Sequence, residues 1–338
     1  MNDSLINKAY VAQSKNENIL SQCTSGGFFT TIAYEFIKEG GYICGAVYGD
    51  NFEVKHIITN DLLEIERFAG SKYVQSKLNN VFFNIEKLLK EKKKVLFCGT
   101  PCQVCGLKKF LLYKKVNISN LYLIDLVCHG VPSPRLWSAY LNYTIQKRGF
   151  LKSVNFRSKY LGYHTSVMEE INIDGKRYVG SARTHIMSKI FFSNIADRPC
   201  CYDCKFKSVK RDSDLTIFDS WHAKNLVTNI KDNDKGYSNV LVQSDKGQQL
   251  VLKYKNLFYI YTCDYIKAIE MDGVMVTNSV KPNKYRNEFY NYLNKNGIES
   301  AVAKYLPISK KDYLIEKIKI IIKRNPILSG LVDLRLGK

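Results

Sequence analysis

No stretch of this 338-residue sequence approaches the roughly 20 uninterrupted apolar residues that a membrane-spanning helix needs. Its opening, MNDSLINKAYVAQSKNEN, is polar and lacks the apolar run of a secretory signal. These two absences lead to the expectation of a cytoplasmic protein with no transmembrane segment. No zinc-finger spacing, RNP-type strand or basic heptad accompanies the lysines, which argues against a specific reader of nucleic acid. The dinucleotide fingerprint G-x-G-x-x-G is missing, so a Rossmann-type nicotinamide site is unsupported. There is no internal repeat and no low-complexity linker.

What remains is an ordinary globular composition, 45% hydrophobic and 24% charged, in a chain long enough for one large or two ordinary domains. Two features depart from the ordinary. The formal charge is +20, with local concentrations at 90–94 and 310–324. A solvated lysine surface accounts for it, or else an anionic small molecule, an acidic partner or a membrane surface. Ten cysteines are many for a cytosolic chain, where disulfides do not persist. Such cysteines are small buried hydrophobes, ligands or nucleophiles.

Periodicity and turn chemistry predict a helix over 28–38, entered through Thr24-Ser25-Gly26-Gly27, then strands over 42–48 and 54–59. A helix over 81–91 leads to a buried strand over 94–97, a helix over 103–112 and a second buried strand over 121–127. Pro132-Ser133-Pro134 opens a helix over 135–146. Beyond residue 150, short alternating runs at 154–157, 166–173 and 177–180 read as antiparallel strands. A helix over 184–195, strands at 215–218, 240–243 and 258–263, and helices near 283–295 and 310–323 complete the chain. The expected fold class is α/β, a mixed-sheet N-terminal core with an antiparallel, cysteine-containing second half and C-terminal helices. A weak boundary is expected near residue 150, between an α/β part at 1–150 and a cysteine-containing part at 151–338, or the two form one integrated domain.

Cys201-Tyr202-Asp203-Cys204 is a C-x-x-C flanked by Arg198, Lys205, Lys207, Lys210 and Arg211. Two thiolates at this spacing grip one metal or two irons of a cluster, and the surrounding charge favours thiolate. A redox dithiol and unpaired structural cysteines are the alternatives. Cys102 and Cys128 stand at strand-to-helix turns rich in Gly and Pro, where a ligand role and a buried turn role are equally open. Cys102-x-x-Cys105 with Cys201-x-x-Cys204 would also make a four-cysteine zinc site. Cys23, Cys44, Cys98, Cys105 and Cys263 read as structural, and Cys200 is expected to point away from a liganded Cys201.

Six segments in this order resemble the beta-subunit family of coenzyme F420 hydrogenase/dehydrogenase. They are Thr24-Ser25-Gly26-Gly27, Gly70-Ser71-Lys72-Tyr73-Val74-Gln75-Ser76, Gly99-Thr100-Pro101-Cys102-Gln103, Cys128-His129-Gly130-Val131-Pro132-Ser133, Phe156-Arg157-Ser158-Lys159 and Cys201-Tyr202-Asp203-Cys204. The resemblance runs from about Ser21 to beyond Trp221. It implies an iron–sulfur flavoprotein oxidoreductase with FAD beside a [4Fe–4S] cluster. Carried over by motif, the cluster ligands are Cys102, Cys128, Cys201 and Cys204. The flavin would lie against Ser25, Gly26 and Gly27, against Ser71, Lys72, Tyr73, Gln75 and Ser76, and against Thr100, Pro101 and Gln103. The glycine pair before a helix suits a pyrophosphate, or is a plain capping turn. Lys72 and Tyr73 offer a cation and a ring, while Arg157 and Lys159 are anion ligands or solvated charges. His129 donates to cluster sulfur or helps proton delivery, or is structural, and His56, His164 and His185 carry no assigned chemistry.

The implied partners are a ferredoxin or other redox protein as electron donor and a small-molecule hydride acceptor, the deazaflavin coenzyme F420 or another organic molecule. Two departures stand out. The dense C-x-x-C ferredoxin module of many bacterial relatives is missing from this sequence, so either the donor is expected to be a separate protein or the full-length system differs. His222 occupies the position of a glycine in Asp219-Ser220-Trp221-His222 and would perturb a turn there. Two rival readings are a non-catalytic relative retaining a structural metal and a basic adaptor protein.

Overall fold

The computed structural model describes residues 8–325. Strand β1 (Ala9–Ser14) and helix α1 (Glu17–Gln22) lead into α2 (Phe28–Lys38). The hairpin of β2 (Tyr42–Tyr48) and β3 (Val54–Thr59) follows. Next come α3 (Val81–Lys90), β4 (Val95–Gly99), α4 (Pro101–Tyr113), β5 (Leu121–Leu126) and α5 (Pro134–Arg148). A run of three strands, β6 (Leu151–Ser158), β7 (Val167–Asn172) and β8 (Arg177–Gly180), precedes α6 (Ile186–Phe192) and α7 (Pro199–Tyr202). The chain then forms β9 (Leu215–Ser220), α8 (Ala223–Leu226), β10 (Tyr237–Val242), α9 (Asp245–Tyr254), β11 (Phe258–Cys263) and α10 (Tyr265–Asp272). Helices α11 (Arg286–Tyr305) and α12 (Lys310–Arg324) end the described residues.

These elements divide into two units, one of residues 8–69, 76–129 and 204–279, the other of 70–75, 130–203 and 280–325. The first is built on an eight-stranded sheet in the order β11-β1-β10-β9-β5-β4-β2-β3. Its centre, β2, β4, β5 and β9, is parallel, and the flanking pairs are antiparallel. The sequence VLFCG of β4 is buried at every position, as a strand covered on both faces must be. Leu96 and Cys98 pack with Phe28, Ile32 and Phe36 of α2 and with Leu250 of α9. Val95 and Phe97 pack with Ile85 of α3 and with Val104 and Leu107 of α4. Alternation along one strand thus sends its side chains into two helix layers.

The fold is α/β with a mixed sheet, a separate antiparallel sheet and C-terminal helices. Several expected elements appear at their expected bounds: α2, β2, β3, β8 and β11. Strand β1 escapes the sequence pattern because it buries polar residues. It lies between β10 and β11, and Gln13 is buried with its amide donating to the Gly236 carbonyl at 2.8 Å and to Asn233 Oδ1 at 3.0 Å.

The second unit holds the sheet β6-β7-β8. Its interior contains a charged cluster: Glu170 of β7 is fully buried and accepts from Tyr140 and Arg148 of α5. Burial raises the Glu170 carboxyl, but the surrounding His185, Tyr140 and Arg148 side chains outweigh it and hold the group below the ordinary carboxylate range. The segment 70–75 belongs here too. Tyr73 stacks on Phe191 with ring centroids 4.1 Å apart, and Arg157 donates to the Tyr73 hydroxyl at 3.0 Å.

Candidate redox site

Strands β4 and β5 run parallel with Gly99 opposite Asp125, so their carboxyl ends open on one edge of the sheet. Ligands of open α/β sheets gather at such an edge. After β4, Thr100 caps α4 with its backbone N–H and hydroxyl held by Gln103 Oε1 at 2.9 and 3.1 Å, and Pro101 takes the first helical position. The helix therefore starts two residues earlier than its apolar pattern suggests. Cys102 falls in its first turn, exposed, with Sγ 3.1 Å from Thr100 Oγ1.

Cys128 stands two residues beyond β5, where Val127 extends the ladder by donating to the Ile217 carbonyl at 3.0 Å. Lys207 donates to the Cys128 carbonyl, and to the Met275 carbonyl at 2.9 Å. Cys204, three residues before Lys207, donates its backbone N–H to Ser279 Oγ at 3.0 Å. Arg211 bonds Asp125 Oδ2 at 3.2 Å and the Val276 carbonyl at 3.1 Å, with both charged side chains almost wholly buried. Burial raises the Asp125 carboxyl, and Arg211 counteracts part of that rise.

The turn after α10, residues 272–279, is therefore a hub. Ser279 accepts from the Cys204 N–H, and the Met275 and Val276 carbonyls accept from Lys207 and Arg211, the side chains that also bond the Cys128 carbonyl and Asp125 at the end of β5. The hub also holds His222. The buried Asp272 carboxylate accepts from His222 Nδ1 at 2.7 Å and from the His222 backbone N–H at 3.2 Å. Histidine at this glycine position is thus locked by its own side chain, and the ring remains half exposed.

Cys102, Cys128 and Cys204 belong to the first unit and Cys201 to the second. Among the described residues, no three His, Cys, Asp or Glu side chains are drawn into a group that could hold a single metal ion. The donor chemistry nevertheless suits a cluster. A four-iron cluster takes its thiolates from the separate corners of a cube. The thiols at 102, 128, 201 and 204 are exposed or partly exposed, as are those at 200 and 263, whereas Cys23, Cys44, Cys98 and Cys105 are buried. At Cys201 burial opposes the expected preference for thiolate. Burial pushes its thiol up to about 11, and the Cys200 thiol and Asp197 carboxylate add to the rise. Cys200 beside it is exposed.

The residues assigned to the flavin are engaged with the protein. Ser25 Oγ lies 2.8 Å from Ser238 Oγ, and the Gly26 N–H donates to the same hydroxyl at 3.0 Å. A Cβ at Gly26 would sit 2.2 Å from the Ala12 carbonyl oxygen, so close strand packing alone demands glycine there. Gly27 caps α2 at φ +73°, a left-handed conformation that glycine adopts without strain. Lys72 donates to the Gly70 carbonyl at 3.1 Å, and Gln75 accepts from Arg198 at 2.9 Å. Ser76 Oγ is 2.7 Å from Nδ1 of the buried His56, whose Nε2 is 3.2 Å from the Cys98 carbonyl.

Sequence reading missed Lys207, Asp272 and Ser238. Lys207 was hidden among other basic residues, and a serine within a buried strand carries no signal of its own. Asp125 had one: a carboxylate inside the apolar run LYLIDL needs a buried partner.

The fold and site define an α/β protein with a parallel-centred sheet whose carboxyl edge carries Cys102 and Cys128. The family described as the C terminus of the coenzyme F420 hydrogenase/dehydrogenase beta subunit matches residues 92–267, and the chain belongs to that family. The segments around Gly26 and Tyr73 lie before the matched residues. The fold is similar to that of a chain in a structure described as xenon derivatization of the F420-reducing [NiFe] hydrogenase complex from Methanosarcina barkeri. The TM-score is 0.52 at 17% identity, over 92% of this chain and 97% of that one. No curated protein matches the sequence. No helix among the described residues is long and apolar enough to cross a membrane.

Proposed function

We propose that this chain is an iron–sulfur flavoprotein oxidoreductase, passing electrons between a ferredoxin-type donor, a [4Fe–4S] cluster, FAD and an organic hydride acceptor such as coenzyme F420. Cys102, Cys128, Cys201 and Cys204 are the proposed cluster ligands. Ser25–Gly27, Ser71–Ser76 and Thr100–Gln103 are the proposed flavin contacts. The observation that carries the reading is the shared edge. Cys102 and Cys128 follow the carboxyl ends of adjacent parallel strands, and Lys207 binds the segment of Cys204 to the carbonyl of Cys128.

A bound cluster and flavin would supply one-electron and two-electron steps respectively. The chain's own residues do the rest. Lys207 and Arg211 place positive charge beside an anionic thiolate set and fix the loops that carry it. The Thr100–Gln103 cap fixes the first turn of α4 and with it the Cys102 thiol. His222, held through Nδ1 by Asp272, keeps its other ring nitrogen available for a proton at the same sheet edge.

The test is anaerobic purification followed by iron, sulfide and flavin analysis. About four irons, four sulfides and one flavin per chain are expected. A colourless protein that contains zinc and no flavin, and that takes up neither on reconstitution, would contradict the proposal.

A further inference from the structure

Helix α12 is attached to its unit through a polar group. Glu316 is buried, and its carboxylate accepts from the Ser181 N–H at 2.7 Å and the Ser181 hydroxyl at 2.8 Å. Leu314, Ile318 and Ile321, at i, i+4 and i+7, form one stripe of the helix and are 60%, 47% and 61% exposed. An amphipathic helix normally buries such a stripe in the core. Here the inward side holds the buried Glu316 with Ile315, Ile320 and Ile322 partly buried, and a second aliphatic stripe at 314, 318 and 321 faces outward.

The charges around the stripe are of one sign. Lys310, Lys311, Lys317 and Lys319 are all exposed. The helix's acids are engaged elsewhere: the Glu316 carboxylate accepts from Ser181, and the Asp312 carboxylate accepts from the hydroxyl of the capping Ser309 at 2.6 Å. Aliphatic side chains flanked by lysines on a helix of modest length match the interfacial class, which lies in the headgroup region with its apolar face at the acyl boundary. An apolar groove with an acidic rim takes the same kind of helix, but it requires a particular partner, whereas an anionic lipid surface needs only the stripe and its lysines. We propose that α12 docks this protein on an anionic lipid surface, with Leu314, Ile318 and Ile321 entering the acyl boundary and the lysines meeting lipid phosphates. This gives part of the +20 charge a task. Nothing in the surface depends on a bound cofactor.

The experiment is flotation of the full chain with vesicles made of equal parts phosphatidylglycerol and phosphatidylcholine, against vesicles of phosphatidylcholine alone. Binding to the anionic vesicles is expected, falling as salt rises. The triple variant Leu314→Ser, Ile318→Ser, Ile321→Ser should bind about tenfold more weakly or less, with an unchanged circular dichroism spectrum because the stripe is exposed. Each Lys→Gln change at 310, 317 or 319 should weaken binding by about fivefold. The proposal is overturned by equal binding to both vesicle types, by no binding to either, or by a serine variant that binds as the parent does. A parent dimer that dissociates in the serine variant, without vesicle binding, would assign the stripe to a second copy of the chain and equally overturn it.

Discussion

The ammonium group of Lys207 is hydrogen-bonded to the carbonyl oxygen of Cys128, 79 residues earlier in the chain. That bond joins the strand-end loop of β5 to the segment carrying Cys204, and the second bond of the same lysine joins both to the turn after α10. One side chain thereby fixes backbone at three places on the proposed ligand edge.

Replacing Lys207 with Met removes both charge-assisted bonds while keeping the aliphatic stem. A loss of about 2 kcal/mol is expected, read from urea unfolding of the isolated chain. Iron retained after anaerobic reconstitution should fall with it. Stability and iron content both unchanged would show that the lysine organises nothing.

Gly26→Ala tests the close approach of the Thr24–Gly27 segment to the sheet. The new Cβ would meet backbone atoms, the Ala12 carbonyl oxygen at 2.2 Å and the Ser238 nitrogen at 2.7 Å, and neither moves without disturbing a strand. A loss of about 3 kcal/mol is expected in thermal or urea unfolding. The same substitution at Gly40, where a Cβ meets nothing within 4 Å, carries only the strain of its positive φ and should cost less.

The buried Glu170 predicts a pH dependence with a definite sign. Its carboxyl is held below the ordinary carboxylate value in the folded state, so its contribution is present above the unfolded value. That contribution disappears as pH falls through the folded value. The Glu170→Gln variant should lose about 3 kcal/mol at neutral pH, because Arg148 is left without its partner. The gap between parent and variant should close on acidification, measured as melting temperature against pH. A gap that is constant from neutral to acid pH would contradict the assignment.

Much of this architecture was legible because its central strands are short, apolar and punctuated by Gly and Pro. VLFCG ends at Gly99-Thr100-Pro101, and LYLIDL is followed by Cys128-His129-Gly130. Those same breaks mark Cys102 and Cys128 as strand-end residues, and the structure puts Cys102 in the first turn of α4 and Cys128 in the loop after β5. Less was legible where tertiary packing overrides local pattern. AYVAQS reads as a polar leader but is strand β1, because Gln13 finds its partners more than 200 residues away. The hub at 272–279 has no local signature either, since its bonds depend on where Lys207, Arg211 and His222 arrive in space. The sequence offers Tyr73 as a ring for a flavin, and its stacking on Phe191 gives that ring a structural task as well.

The most direct test of the central claim is iron bound per chain after anaerobic reconstitution of single cysteine variants. Changing Cys102, Cys128, Cys201 or Cys204 to Ser should remove most of the iron and the accompanying visible absorbance, whereas Cys44→Ala and Cys105→Ala, at buried thiols, should keep both. Full iron in a chain lacking any one of the four, or its loss on changing Cys44 or Cys105 in a variant that still folds, would contradict the account.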